Sequence, residues 1–178
     1  AAIAAFVALL MFRAGVHKLV DLQRFGGVMA DYAIGPAPLV RLLRELIPAL
    51  EIVAAAFLAS GAMARDGARI AAVLLGLYAG AMTINLLRGR SEIDCGCGGP
   101  GQPISWALVV RNLVLVVALI PAAVGLAAPV SIPEALAVWA VAVAAMGVWV
   151  AADQLSANAT RMRRDRETLL AGAFGAAS

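Results

Sequence analysis

Long apolar runs separated by short polar breaks dominate this chain. Five segments, about 1–20, 46–64, 68–87, 105–127 and 133–153, consist almost wholly of Ala, Leu, Val, Ile, Gly and Met. A helix crossing roughly 30 Å of hydrocarbon needs about 20 such residues, because each backbone amide must find its partner within the segment. The pattern therefore predicts an all-α, polytopic transmembrane helical bundle with a four-helix core and about five spans. The spans favour Ala, Gly and Val over Leu, a composition that lets helices approach closely where lipid supplies no hydrophobic drive. Gly76 and Gly80 form a small-residue face on the third span, expected to pack within the bundle, with dimerisation as the other use.

The breaks differ from one another. Residues 21–45 carry Arg24, Asp31, Arg41, Arg44 and Glu45 together with Pro36 and Pro38. Proline should interrupt any helix there, so this link is expected to lie along the interface or partly re-enter the bundle. Arg65-Asp66-Gly67 reads as a tight helical hairpin with Asp66 as N-cap of the next span. Ser105 is placed to cap the fourth span, and Ser131-Ile132-Pro133-Glu134 reads as a capping box opening the fifth. Beyond about Asp153 the chain turns polar, and Arg161 to Arg166 suggests a solvated or headgroup-facing stretch. The expected division is a transmembrane domain over 1–153 and a polar, basic C-terminal tail over 154–178.

Composition supports the membrane reading: 63% of the 178 residues are hydrophobic, 14% are charged and the mean hydropathy is +0.92. The net charge of +3 does not signal nucleic acid, since no aromatic-interleaved basic patch accompanies it. It fits the excess of Lys and Arg in cytoplasmic loops. With five spans, all the basic residues except Arg65 and Arg69 fall on one side. That bias predicts that the tail and the 88–104 loop face the cytoplasm. The chain opens at Ala1 rather than methionine, so the native N-terminus is expected upstream; a cleaved signal peptide is disfavoured because no basic n-region is visible.

The only two cysteines, Cys95 and Cys97, flank one glycine in Asp94-Cys95-Gly96-Cys97-Gly98-Gly99. A polar, glycine-rich dithiol loop at the edge of an apolar bundle points to thiol redox chemistry. Bridging residues at i and i+2 requires a kinked backbone, which Gly96 and Gly98 permit. Such a small ring is strained, and strained, exposed bridges tend to be labile and oxidising. Arg88 and Arg90 favour the thiolate, whereas Asp94 opposes it. Two other readings stand beside this one: a purely structural turn, and a metal site. For zinc, the two thiols and the single His17 fall short of four ligands, so no metal is favoured.

Ionisable groups inside spans are costly and default to functional candidates. Glu51 lies inside the second span, and His17 and Lys18 close the first. A Glu51–Lys18 pair would relieve both charges; proton handling or contact with a quinone is the sharper alternative. Asn85, Arg111 and Asn112 are placed to brace the dithiol loop through its backbone carbonyls, or to orient a ligand carbonyl. Trp106, Trp139 and Trp149 are expected as interfacial anchors.

Lys18, Phe25, Tyr32, Pro48, Glu51, Asn85-Leu86-Leu87-Arg88-Gly89-Arg90, Asp94-Cys95-Gly96-Cys97-Gly98 and Arg111-Asn112-Leu113 together resemble the methylamine utilisation protein MauE family, within the broader DoxX-like membrane proteins. The resemblance covers roughly residues 1–150, and its dithiol segment is the most specific part. Gly99 departs from it, standing where an aromatic residue is more usual. The resemblance implies a protein of the bacterial inner membrane that assists maturation of a disulfide-containing exported enzyme beside a thioredoxin-like partner. Cys95 and Cys97 would be the redox pair, with Arg88, Asp94 and Arg111 around them.

Oxidising exported substrates favours cysteines at the outer face, whereas the charge bias favours the inner one; an inner dithiol suits an electron conduit or a cytoplasmic thiol partner. The leading expectation is a membrane thiol–disulfide oxidoreductase, with a quinone as a conceivable second redox partner. The rival is a non-catalytic accessory subunit of a larger membrane complex, and a weaker third is metal or cofactor delivery.

Overall fold

The computed structural model describes residues 1–96, 102–126 and 131–175, with side chains beyond residue 156 described only in part. Six helices run in order: α1 (Ala2–Val20), α2 (Leu22–Asp31), α3 (Ala37–Ser60), α4 (Ala64–Leu87), α5 (Trp106–Ala123) and α6 (Ile132–Gly175). There is no strand among the described residues, and a single antiparallel bridge joins Asp94 to Pro103. Four helices are long and apolar enough to cross a membrane: Ala2–Val20, Ala64–Leu87, Trp106–Ala123 and Ile132–Ser156. The protein is a multi-pass membrane protein. The fifth expected span falls in α3, which is as long as α4 but carries Arg41, Arg44 and Glu45 near its start and Glu51 at its middle.

The 21–45 link is more helical than its prolines suggest. Asp21 turns the chain out of α1 and its side chain accepts from Arg24 N at 3.0 Å, opening α2. Pro38 sits in the first turn of α3, where the missing N–H has no intrahelical partner to lose. Two caps also differ from expectation. Asp66 lies inside the first turn of α4 and pairs with Arg69 at 3.2 Å, while Ser60 Oγ accepts from Met63 N at 3.2 Å and trims the hairpin instead. Ser105 occupies the N-cap position of α5 without a side-chain cap bond. At α6, Glu134 reaches back to Ser131 N at 2.7 Å, the return half of a capping box. α6 then runs unbroken past Asp153 to Gly175.

α3 packs between α1 and α4, α5 lies against α4, and α6 lies along α1. One core cluster joins Val7 and Met11 of α1, Ala54 and Leu58 of α3, Leu74 and Leu75 of α4 and Leu115 and Leu119 of α5. The outer faces remain apolar, with Phe12, Val73 and Val117 exposed, as lipid contact requires. A second cluster closes the loop end: Val28 and Tyr32, Ala79 and Met82, and Leu108 and Val109 surround Ile93 and Ile104 from the 88–105 loop. The loop is thus pinned by two buried isoleucines. Trp139 and Trp149, both half-buried, pack against the first cluster, and Trp149 meets the ring of Phe6 edge-on at 5.4 Å.

Close helix approach does occur, but not where the small-residue pattern placed it. A Cβ added at Gly67 would stand 2.6 Å from Leu58 N and 3.0 Å from Ala54 O, so α3 and α4 cross there backbone to backbone. At Gly76 and Gly80 it would meet nothing within 4 Å. The expectation of packing through Gly76 and Gly80 is therefore corrected: that face of α4 looks into open space. Gly67→Ala is expected to cost about 1–3 kcal/mol by overpacking, whereas Gly76→Ala should hold or raise stability through helix propensity. Thermal unfolding of the two variants in one detergent checks the contrast.

Candidate functional site

Two polar features meet at the end of the bundle where α1, α4 and α5 converge with the loop. The deeper one is a buried ion pair. Lys18 Nζ donates to Glu51 Oε1 at 2.5 Å, and Tyr78 Oη donates to the same oxygen at 2.7 Å. Lys18 is 4% exposed and Glu51 is fully buried. The ammonium also lies 5.4 Å from the Phe25 ring centre and 5.2 Å from that of Tyr78. Ring faces carry negative electrostatic potential and help to stabilise a cation withdrawn from water. Glu51 Oε2 has no hydrogen-bond partner among the described residues. The pairing suggested by two in-span charges is present, with Tyr78 as a third member that no sequence signal marked.

The shallower feature is the dithiol loop. Asp94 Oδ2 accepts from Arg24 Nη2 at 3.0 Å, and Asp94 Oδ1 accepts from Gly96 N at 3.1 Å. Cys95 N donates to Gln102 O at 2.8 Å and Ile104 N to Ile93 O at 2.9 Å, so the two loop arms pair. Tyr32 Oη donates to Cys95 O at a long 3.4 Å. Gly96 adopts φ +68, and a Cβ there would press on Val28 Cγ1 at 3.1 Å. Both the left-handed backbone and the space demand glycine. Cys95 is half-buried; Cys97, Gly98 and Gly99 lie outside the described residues.

The expected bracing residues divide. Asn85 is buried and ties the helices under the loop: its Nδ2 donates to Tyr32 O at 3.2 Å and to Ala81 O at 3.1 Å, while its Oδ1 accepts from Arg90 at 3.2 Å. It grips the end of α2 and the stem of the loop, not the carbonyls beside the cysteine. Arg111 pairs instead with Asp153 of α6 at 3.0 Å and stacks over Trp149 at 4.7 Å. Asn112 bonds Leu108 O within its own helix. Arg111 thus ties α5 to α6, Asn112 bonds within α5, and among the described residues neither reaches the loop carbonyls. His17 is exposed and shares a small surface recess with Asp21, Arg24, Asp94 and Gly96. Arg88 lies at the rim of a larger cleft whose wall includes Cys95. Among the described residues no three His, Cys, Asp or Glu side chains gather as metal ligands.

Comparison with known proteins places this geometry. The family model for methylamine utilisation protein MauE matches residues 1–128. The chain belongs to the MauE family. It is 40% identical over 133 residues to methylamine utilization protein MauE of Paracoccus denitrificans, covering 74% of this chain and 70% of the relative. The MauE protein of Paracoccus versutus is 38% identical over 130 residues, covering 68% and 70%. That of Methylophilus methylotrophus is 34% identical over 156 residues, covering 83% and 80%. No solved structure matches the chain. The family match spans α1 to α5 and so contains both polar features.

Removing one partner of a buried ion pair strands the other charge, at a cost of about 3–5 kcal/mol. Lys18→Met and Glu51→Gln should each destabilise the bundle on that scale, and the double variant should cost clearly less than the sum of the two. Denaturant unfolding of all four proteins gives the coupling; strict additivity would contradict it.

Proposed function

We propose that this MauE-family protein is a membrane thiol–disulfide exchange protein serving methylamine utilisation, and that Cys95 and Cys97 form its redox pair. The observation that carries the reading is the setting of Cys95. It is half-buried, its backbone is tied to Gln102 and Tyr32, and the glycine after it is held in a conformation other residues avoid. A merely space-filling turn needs none of this.

In the reaction, one thiolate attacks the disulfide of a partner and forms a mixed disulfide, releasing one partner thiol. The second cysteine displaces the other partner sulfur, leaving Cys95–Cys97 as the disulfide and the partner as a dithiol. The reverse sequence oxidises the partner. Two electrons and two protons move in either direction. The Arg24–Asp94 pair offsets the negative charge that would oppose a neighbouring thiolate. A thioredoxin-like protein, or the disulfide-containing enzyme under maturation, is the proposed partner. The bias of basic residues supports a cytoplasmic position for the loop in the bacterial inner membrane.

The test is maturation of the partner in a methylamine-utilising host that lacks its own copy. Cys95→Ser/Cys97→Ser should reduce mature partner to about a tenth or less, and the single variant that keeps the attacking thiol should accumulate a mixed disulfide on non-reducing gels. Full maturation with the double variant overturns the proposal and favours an accessory subunit whose loop only shapes a contact.

A further inference from the structure

A cleft of about 560 Å³ opens between α2, α3 and α4, within the roughly 300–1,000 Å³ of small-molecule sites. Its floor is the face of α4 carrying Gly76 and Gly80, one turn apart, where no other side chain enters. At its rim Leu46, Leu77 and Ile84 are 42%, 62% and 51% exposed. The mouth is therefore apolar and faces hydrocarbon, which selects an occupant already dissolved in the membrane. One end is different: Tyr32, Asn85, Arg88 and Cys95 form a polar wall. Arg88 has no ion-pair partner among the described residues, leaving a cationic donor on the cleft that Cys95 also lines. Tyr78, which also lines the cleft, connects it to the buried Glu51.

We infer that this cleft binds a membrane quinone, its ring at the polar end and its isoprenoid tail along the glycine face, as the two-electron acceptor of the cysteine pair. The inference rests on the thiol–disulfide reading. A phospholipid could lay an acyl chain on the apolar walls and its phosphate on Arg88, but it offers the cysteine no electron acceptor, whereas a quinone carbonyl accepts a hydrogen bond there and the ring accepts two electrons. The stoichiometry closes without another reactant. The thiols of Cys95 and Cys97 lose two electrons and two protons and join as a disulfide; the quinone gains both and leaves as the quinol. Quinones diffuse through the hydrocarbon and are reachable from either leaflet, so the loop can meet one whichever face it occupies. Net flow is then from partner dithiol to quinone, and the partner is oxidised.

The test uses the full chain in nanodiscs with decylubiquinone as probe and decanol as the tail-only control. Binding is read by competition against an azidoquinone photolabel, and quinol formation by anaerobic mixing with the pre-reduced protein. Gly80→Phe and Gly76→Leu fill the cleft from positions with open space ahead, so each should fold while weakening quinone binding at least about tenfold. Both should keep normal thiol exchange with oxidised glutathione. Cys95→Ser should form no quinol. Unchanged quinone binding in both glycine variants, or equal competition by decanol, overturns the site. Intact binding combined with a wild-type protein that exchanges no thiols overturns the redox reading and leaves the site standing.

Discussion

The Lys18–Glu51–Tyr78 contact sets the geometry on which the remainder of this protein depends. A carboxylate and an ammonium inside a membrane bundle are tolerable only while they satisfy each other, because stranding either one is far more costly than losing an ordinary packing contact. The contact ties α1, α3 and α4 at one depth. In a bilayer, where apolar helix faces are as comfortable with lipid as with each other, such a tie supplies register that hydrophobic burial cannot. It lies near the end of α1, just before the next helix starts. Asp21, three residues beyond Lys18, opens α2, and α2 delivers Arg24 to Asp94 and Phe25 and Val28 to the underside of Gly96. The loop that carries Cys95 is thus seated on a helix that is capped three residues beyond the buried lysine.

Much of the bundle was legible in the sequence because apolar length is a strong signal in a membrane protein. Segments 1–20, 68–87 and 105–127 correspond to α1, α4 and α5 within a few residues at most ends. The in-span charges of Lys18 and Glu51 pointed to each other because lipid offers neither any other relief. The Ser131–Glu134 signature was readable because its spacing is local. What escaped notice depends on distant contacts. Arg24 and Asp94 are 70 residues apart in sequence, and Arg111 finds Asp153 42 residues away, so nothing local to either residue names its partner. The prolines misled for a different reason: proline breaks a helix interior but suits its first turn, and Pro38 occupies that turn.

The glycines of α4 show the limit of pattern reading most clearly. Gly76 and Gly80 have the spacing of a packing face, and Gly67 has none, yet Gly67 makes the close crossing. Small residues permit approach without compelling it, and the crossing point of two helices is set by everything that packs around them. The unused face becomes the floor of a cleft that ends at Cys95, which brings a lipid-accessible volume and the thiol loop into one site. Neither the apolar pattern nor the cysteine motif implies that adjacency.

The central claim is that Cys95, seated in the loop at this end of the bundle, and Cys97 undergo reversible oxidation in the membrane. The most direct measurement is to trap thiols by rapid alkylation of intact membranes and weigh the chain after exposure to oxidised and reduced quinone pools. The account predicts interconversion between a doubly alkylated chain and an unalkylated one that is two hydrogens lighter than the dithiol. A chain that is doubly alkylated under every condition, or never alkylated even after strong reductant, would contradict it.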